Sequence, residues 1–269
     1  MCSLGNMVFM RDLTWRRSSV FCASLGLVTV FAGCEAFSGY AVQTVVNAAH
    51  HGARDKNGVL PDYGGDGEAR IFDNDLGWHI VLSEGFVVTT SAKIEPCEGD
   101  GLALGLPFGP FPEDLTDLDA RVTDFALMDL HANEYCNLII EYGRYQSSVA
   151  AMAEDEPFPI GDLTNVEGAS IYLAGTAEKP DGKGGNTVIN FGFRSEQTVI
   201  VNLDMSTLEE GGPWTITGDE PNGRALTVAK TYDEFFRGVD FATLDKAAFE
   251  KGLPDRLAAQ TRLVLGTTI

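Results

Sequence analysis

From Trp78 onward, apolar and polar residues alternate with period two. That pattern restricts the chain to strands, because only a pleated backbone sends successive side chains to opposite faces. Trp78, Ile80 and Leu82 fall on one face, with His79 and Ser83 on the other. In the next run Phe86, Val88, Ala92 and Ile94 share a face, and Ser83-Glu84-Gly85 reads as a tight turn that makes the two runs a hairpin. Residues 99–112, rich in Gly and Pro, read as a long loop. Strand pattern returns at 121–130 and at 135–145, where Cys136, Leu138, Ile140 and Tyr142 face one way and Cys136 is expected to point inward.

After an acidic, Pro-broken link at 154–162, strands are expected at 170–174, at 187–194 with Thr187, Ile189, Phe191 and Phe193 on one face, and at 197–204 with Val199, Val201 and Leu203 on one face. Two further runs, 214–217 and 225–232, flank Asn222-Gly223, which signals a hairpin because both residues tolerate positive φ. Near the end the period lengthens. Residues 232–241 and 245–252 suit short helical turns, and Pro254 suits the first position of a helix reaching about 261. Eight to ten strands with little helix before Tyr232 predict a mainly β chain, an antiparallel β-sandwich or open barrel with a short helical cap at the C terminus. The strand pattern defines one β-rich domain over 68–269. Residues 34–67, with His50-His51 and many Gly and Asp, read as a tether and loop-rich leading segment.

The first 33 residues are of another kind. Arg11, Arg16 and Arg17 precede an apolar run over 20–31 that is too short to cross a bilayer but suits a signal-peptide core. The run ends at Phe31-Ala32-Gly33-Cys34, which resembles the bacterial lipobox, with Phe31 in place of its usual leucine. The resemblance implies a cleaved signal over 1–33 and a diacylglycerol and fatty-acyl anchor on Cys34. Glu35, in place of the aspartate that best retains lipoproteins at an inner membrane, favours an outer membrane in a host with two.

Without that segment, 236 residues remain with 16 Lys and Arg against 38 Asp and Glu, a net charge of −22. Coulomb repulsion at that charge sets nucleic acid aside as a partner. The partners left are the membrane reached through the lipid and a protein, glycan or small ligand. Removing Cys2, Cys22 and Cys34 leaves Cys97 and Cys136, a pair expected to form a disulfide in an oxidising compartment.

Catalytic signatures are largely missing. The sequence holds no Gly-x-Ser-x-Gly elbow, His-Glu-x-x-His pair, phosphate-binding Gly-x-x-x-x-Gly-Lys loop or Cys-x-x-Cys-His haem site, so no catalytic residue is assigned. The expected function is a non-catalytic binding or envelope-structural lipoprotein. The alternative is a copper or zinc site built on His131, near Met128, Asp129 and Glu134, with His50, His51 and His79 as companions. Asp73-Asn74-Asp75 and Asp55-x-Asn57-Gly58 offer oxygen ligands for calcium but complete no loop, and turns capped by their own side chains explain them more simply. The pairs Phe108 with Phe111 and Phe235 with Phe236 are either an exposed patch or, more commonly for such residues, core.

Overall fold

A computed structural model describes residues 41–103, 106, 109–150, 163–218, 220 and 223–269. Cys34 and the expected signal, Phe108, Asn222 and the whole 154–162 link lie outside the described residues.

The chain is mainly β, arranged as two sheets with little helix. In order the strands are β1 (Val42–His51), β2 (Arg70–Asp73), β3 (His79–Pro96), β4 (Leu102–Ala103), β5 (Phe111–Asp114), β6 (Thr123–Leu130) and β7 (Asn133–Tyr142). A single helical turn, α1 (Ser147–Ala150), precedes β8 (Ile171–Pro180), β9 (Asn186–Ser195), β10 (Val199–Asp204), β11 (Trp214–Ile216) and β12 (Arg224–Thr231). A 3-10 turn (Asp233–Phe236), the helix α2 (Lys246–Gln260) and β13 (Thr261–Leu265) end the chain.

The smaller sheet runs β13-β12-β1-β6 and the larger β10-β7-β3-β8-β9, with β11 on β7 and β2, β4 and β5 on β3. Among the named strands the pairings are antiparallel except β1 with β12. Val46, Ala48, Leu226 and Val228 from the smaller sheet bury into one core with Ile80, Leu82, Ile94, Leu138, Ile140 and Leu173 from the larger. Phe235, Phe236 and Phe241, with Phe249, Leu253 and Leu257 of α2, complete that core and pack against Phe191 and Phe193.

Several local expectations change. Residues 42–51, read as tether, form a strand in the interior of the smaller sheet; Thr44, Asn47, His50 and His51 are buried there, and these polar residues hid its alternation. The turn at Ser83-Glu84-Gly85 is a β-bulge inside the continuous 18-residue β3, where the pairing with β8 shifts between Leu82 and Glu84. That shift turns Phe86 and Val88 into a separate small cluster with Tyr145 and Val166 and leaves Val87 toward the main core, and a second shift, between Thr89 and Ser91, brings Ala92 and Ile94 back to the main core. One extra residue flips every later side chain to the other face.

A third shift places Cys136 opposite the Glu95–Pro96 step, so Tyr135 takes the buried position and Cys136 is only half-buried. Of the expected loop at 99–112, β4 and the start of β5 pair with β3 instead. The runs flanking Asn222-Gly223 form no hairpin, since β11 joins β7 in the larger sheet and β12 joins β1 in the smaller. Pro254 lies inside α2 and does not start it. Asp245 caps the helix by accepting from the Ala248 N–H, and the burial of Leu253, Pro254 and Leu257 offsets the donor that proline lacks.

Candidate functional site

The densest chemistry lies where the last residues of β1 meet β5 and β12. His50 and Lys230 are direct partners in the parallel β1–β12 ladder, and both point to the inner side of the smaller sheet. Glu113 reaches them from β5 of the larger sheet. Its Oε2 accepts from Lys230 Nζ at 2.5 Å and its Oε1 accepts from His50 Nδ1 at 3.2 Å; all three side chains are at least 95% buried. His50 Nε2 donates to the Asp117 carbonyl at 2.9 Å. A carbonyl and a carboxylate both accept, so both ring nitrogens carry protons. Burial opposes that charge, but the Glu113 carboxylate and the Asp117 carbonyl outweigh it and raise the His50 pKa. Burial also disfavours charge on Glu113 and Lys230, and their mutual attraction wins in each case, lowering the Glu113 pKa and raising that of Lys230. Lys230 Nζ also sits 5.5 Å from the centre of the Tyr142 ring.

Beside this triad, the fully buried Arg70 is spent on backbone. It donates to the carbonyls of Leu115 (3.2 Å), Gly64 (2.5 Å), Gly65 (3.1 Å), Thr116 (2.7 Å) and Asp117, and lies 3.8 Å from Asp119. It therefore ties the 64–65 loop to the segment that follows β5. Tyr232 donates to Asp119 at 3.0 Å and Tyr63 to Asp233 at 3.1 Å; burial and these carboxylates push both phenols well above their ordinary range. The cavity touching His50, Glu113, Asp117 and Arg121 measures about 10 Å³, room for one water molecule. Chemically, the cluster is an ionic staple between two sheets.

Neither His50 nor its companions make the expected metal site. His51 is buried on the opposite face of β1; its Nδ1 donates to the Gly52 carbonyl at 2.6 Å and its Nε2 accepts from Arg262 at 2.7 Å. His79 is exposed and pairs with Asp73 at 2.9 Å. His131 is exposed in the turn after β6, beyond Leu130, which pairs with Val42 at the far end of β1. Eight residue steps along β1 separate that end from His50, about 26 Å. Met128 packs against the core, and Asp129 and Glu134 are exposed. Among the described residues no three His, Cys, Asp or Glu side chains gather in a way that could hold a metal ion.

The acidic turns are held by their own hydrogen bonds. Asp55 accepts from the Asn57 and Val59 N–H groups, and the Asn74 carboxamide accepts from Leu76 and Trp78 and donates to the Phe236 and Val239 carbonyls. Phe111, Phe235 and Phe236 are core. Cys97 and Cys136 form a disulfide.

Sequence reading missed Glu113, Lys230 and Arg70. Lys230 was within reach of it, since it shares the in-facing parity of Leu226 and Val228 on β12. Glu113 lies just past the 99–112 segment read as loop, in residues given no element, and nothing local marks it.

No protein-family model and no curated protein matches this chain. Among solved structures it is similar to MbnP from Methylosinus trichosporium, at 7% identity over 83% of this chain and 99% of that one, with a TM-score of 0.40. At that score and identity nothing about function follows.

Proposed function

We propose that the chain is an exported bacterial lipoprotein, anchored by lipid on Cys34, whose β domain is a non-catalytic binding or envelope-structural module. The Cys97–Cys136 disulfide carries this reading, because such bonds persist in oxidising compartments and are rare in the cytosol. The basic, apolar and Cys34-terminated leader supports it from the sequence. The buried acid–base groups support the non-catalytic part, since they engage one another around a space the size of one water. An outer membrane is the favoured location where the host has two. The copper or zinc alternative has no supporting geometry, since the histidines it needs are far apart or engaged with other partners. The test is metabolic labelling with a fatty acid followed by fractionation. Wild-type protein should take up label and sediment with membranes. Cys34→Ala should take up none and should be either uncleaved or soluble. An unlabelled wild type, or a cleaved Cys34→Ala that sediments as wild type does, overturns the proposal.

A further inference from the structure

We propose that the chain pairs with a second copy of itself through β9, the two strands running antiparallel about a two-fold axis at Asn190. β9 is a long open edge of the larger sheet: ten residues, paired with β8 on one side and with no strand on the other among the described residues. Two observations fix which way its backbone groups point. Arg194 donates its N–H away from β8, to Glu250 of α2 at 3.0 Å, so Arg194 and its partner Tyr172 are not a hydrogen-bonded pair. Asn186, eight residues before it, faces Pro180, which has no N–H to give, and that agrees. Hydrogen-bonded and non-hydrogen-bonded pairs alternate in an antiparallel ladder, so Val188, Asn190 and Gly192 share the parity of Arg194. Their N–H and C=O groups point away from β8, and no hydrogen-bond partner meets them among the described residues.

Sheet edges are ordinarily guarded by charge, by shortness or by cover. Here β6 carries the exposed Asp124 and Asp129, and β10 and β13 lie against each other with α2 against β10. The strands β2, β4, β5 and β11 have four residues or fewer. β9 has none of these guards from Asn186 to Gly192. It has no charged residue there, in a chain with 39 Asp and Glu against 19 Lys and Arg, and Glu250 covers only its Arg194 end. Two copies so acidic repel over most of their surface, and this edge offers contact without that repulsion. It is also complementary to itself. A two-fold at Asn190 sets Val188 opposite Gly192 of the second copy. Val188 is 57% exposed, and a Cβ on Gly192 would meet nothing within 4 Å, so the side chain of one copy falls over bare backbone of the other. Three facing pairs result, each exchanging two hydrogen bonds, before Glu250 ends the ladder. Beyond it, the same register brings the exposed Glu196 level with the turn of the second copy that holds Lys183, an exposed lysine without an ion pair among the described residues. Opposite charges thus meet at both ends of the ladder, and nothing in the pairing depends on the lipoprotein reading.

Cysteine cross-linking in cells that express the full chain reads the register. Asn190→Cys places two cysteines at directly opposed hydrogen-bonded positions, with Cα atoms about 5.5 Å apart, within reach of a disulfide. It should give a dimer under mild oxidation, while Val188→Cys, whose two copies lie about 13 Å apart along the strands, should not. Sedimentation velocity of the purified full chain in mild detergent reads the affinity. Wild type should show a concentration-dependent monomer–dimer equilibrium. Asn190→Lys, which sets two like charges against each other at the axis, should weaken it roughly fivefold or more with a thermal midpoint near wild type. Ile200→Lys, at an exposed position on β10, should dimerise as wild type does. A monomer at every concentration, a dimer that Asn190→Lys leaves intact, or failure of Asn190→Cys to cross-link more than Val188→Cys overturns the proposal.

Discussion

His50 and His51 are neighbours in sequence with opposite preferences for a proton, because the strand turns one toward Glu113 and the other toward arginine. The His50 pKa is raised, so its folded form holds a proton that the unfolded chain releases near its ordinary pKa. Its contribution to stability is complete below about 6.5 and is lost as pH rises through the raised value. The His51 pKa is lowered, chiefly by burial, so its contribution is present above about 6.5 and is lost as pH falls through the lowered value. Thermal midpoints measured across pH should show the two limbs separately: His50→Gln should flatten the alkaline side and His51→Gln the acid side. A variant that shifts both limbs together would mean that the two rings are not independent. None of this was legible in the pair His50-His51 itself, whose residues look alike until the strand and its partners tell them apart.

At the scale of elements, alternation identified most strands and misplaced their faces wherever a bulge intervened. Ile80 and Leu82 do share a face, as do Phe191 with Phe193 and Val201 with Leu203, and those faces are buried toward the core, while Thr187 at the start of its run is exposed; no bulge interrupts those stretches. Past Ser83 and again past Thr90 the parity reverses, and a period-two count carried through from Phe86 to Ile94 joins residues from two different clusters. The first bulge depends on a close approach from β8. Gly175 pairs with Leu82, and a Cβ there would run into the Val81 carbonyl oxygen, a backbone atom that cannot swing aside. Gly175→Ala should therefore lower stability by about 2 kcal/mol in denaturant titration. Gly192→Ala on the neighbouring β9, where a Cβ meets nothing within 4 Å, should stay near wild type. Equal effects would show that the bulge tolerates a side chain there.

For the whole molecule, the two-sheet architecture and the disulfide were readable because they rest on repeated alternation and on cysteine count. The staple of His50, Glu113 and Lys230 was not, because its members lie up to 180 residues apart in sequence and meet only when the sheets do. Cys97 and Cys136 close a loop with a sequence separation of 39, and breaking it by Cys97→Ser with Cys136→Ser should remove about 4 kcal/mol in the chain-entropy model. Equal denaturation midpoints for the double variant and wild type would show that the loop is held without the bond. The parallel pairing of β1 with β12 joins nearly the first described residues to a late strand, Thr44 to Arg224. As the chain emerges from a ribosome or a translocon, β1 appears before every other described strand, and its β12 side must wait, with bare N–H and C=O groups, until most of them have appeared. The smaller sheet can assemble only at the end of delivery, so the nascent protein spends its emergence as an open template, at the time when a chaperone would have most to protect.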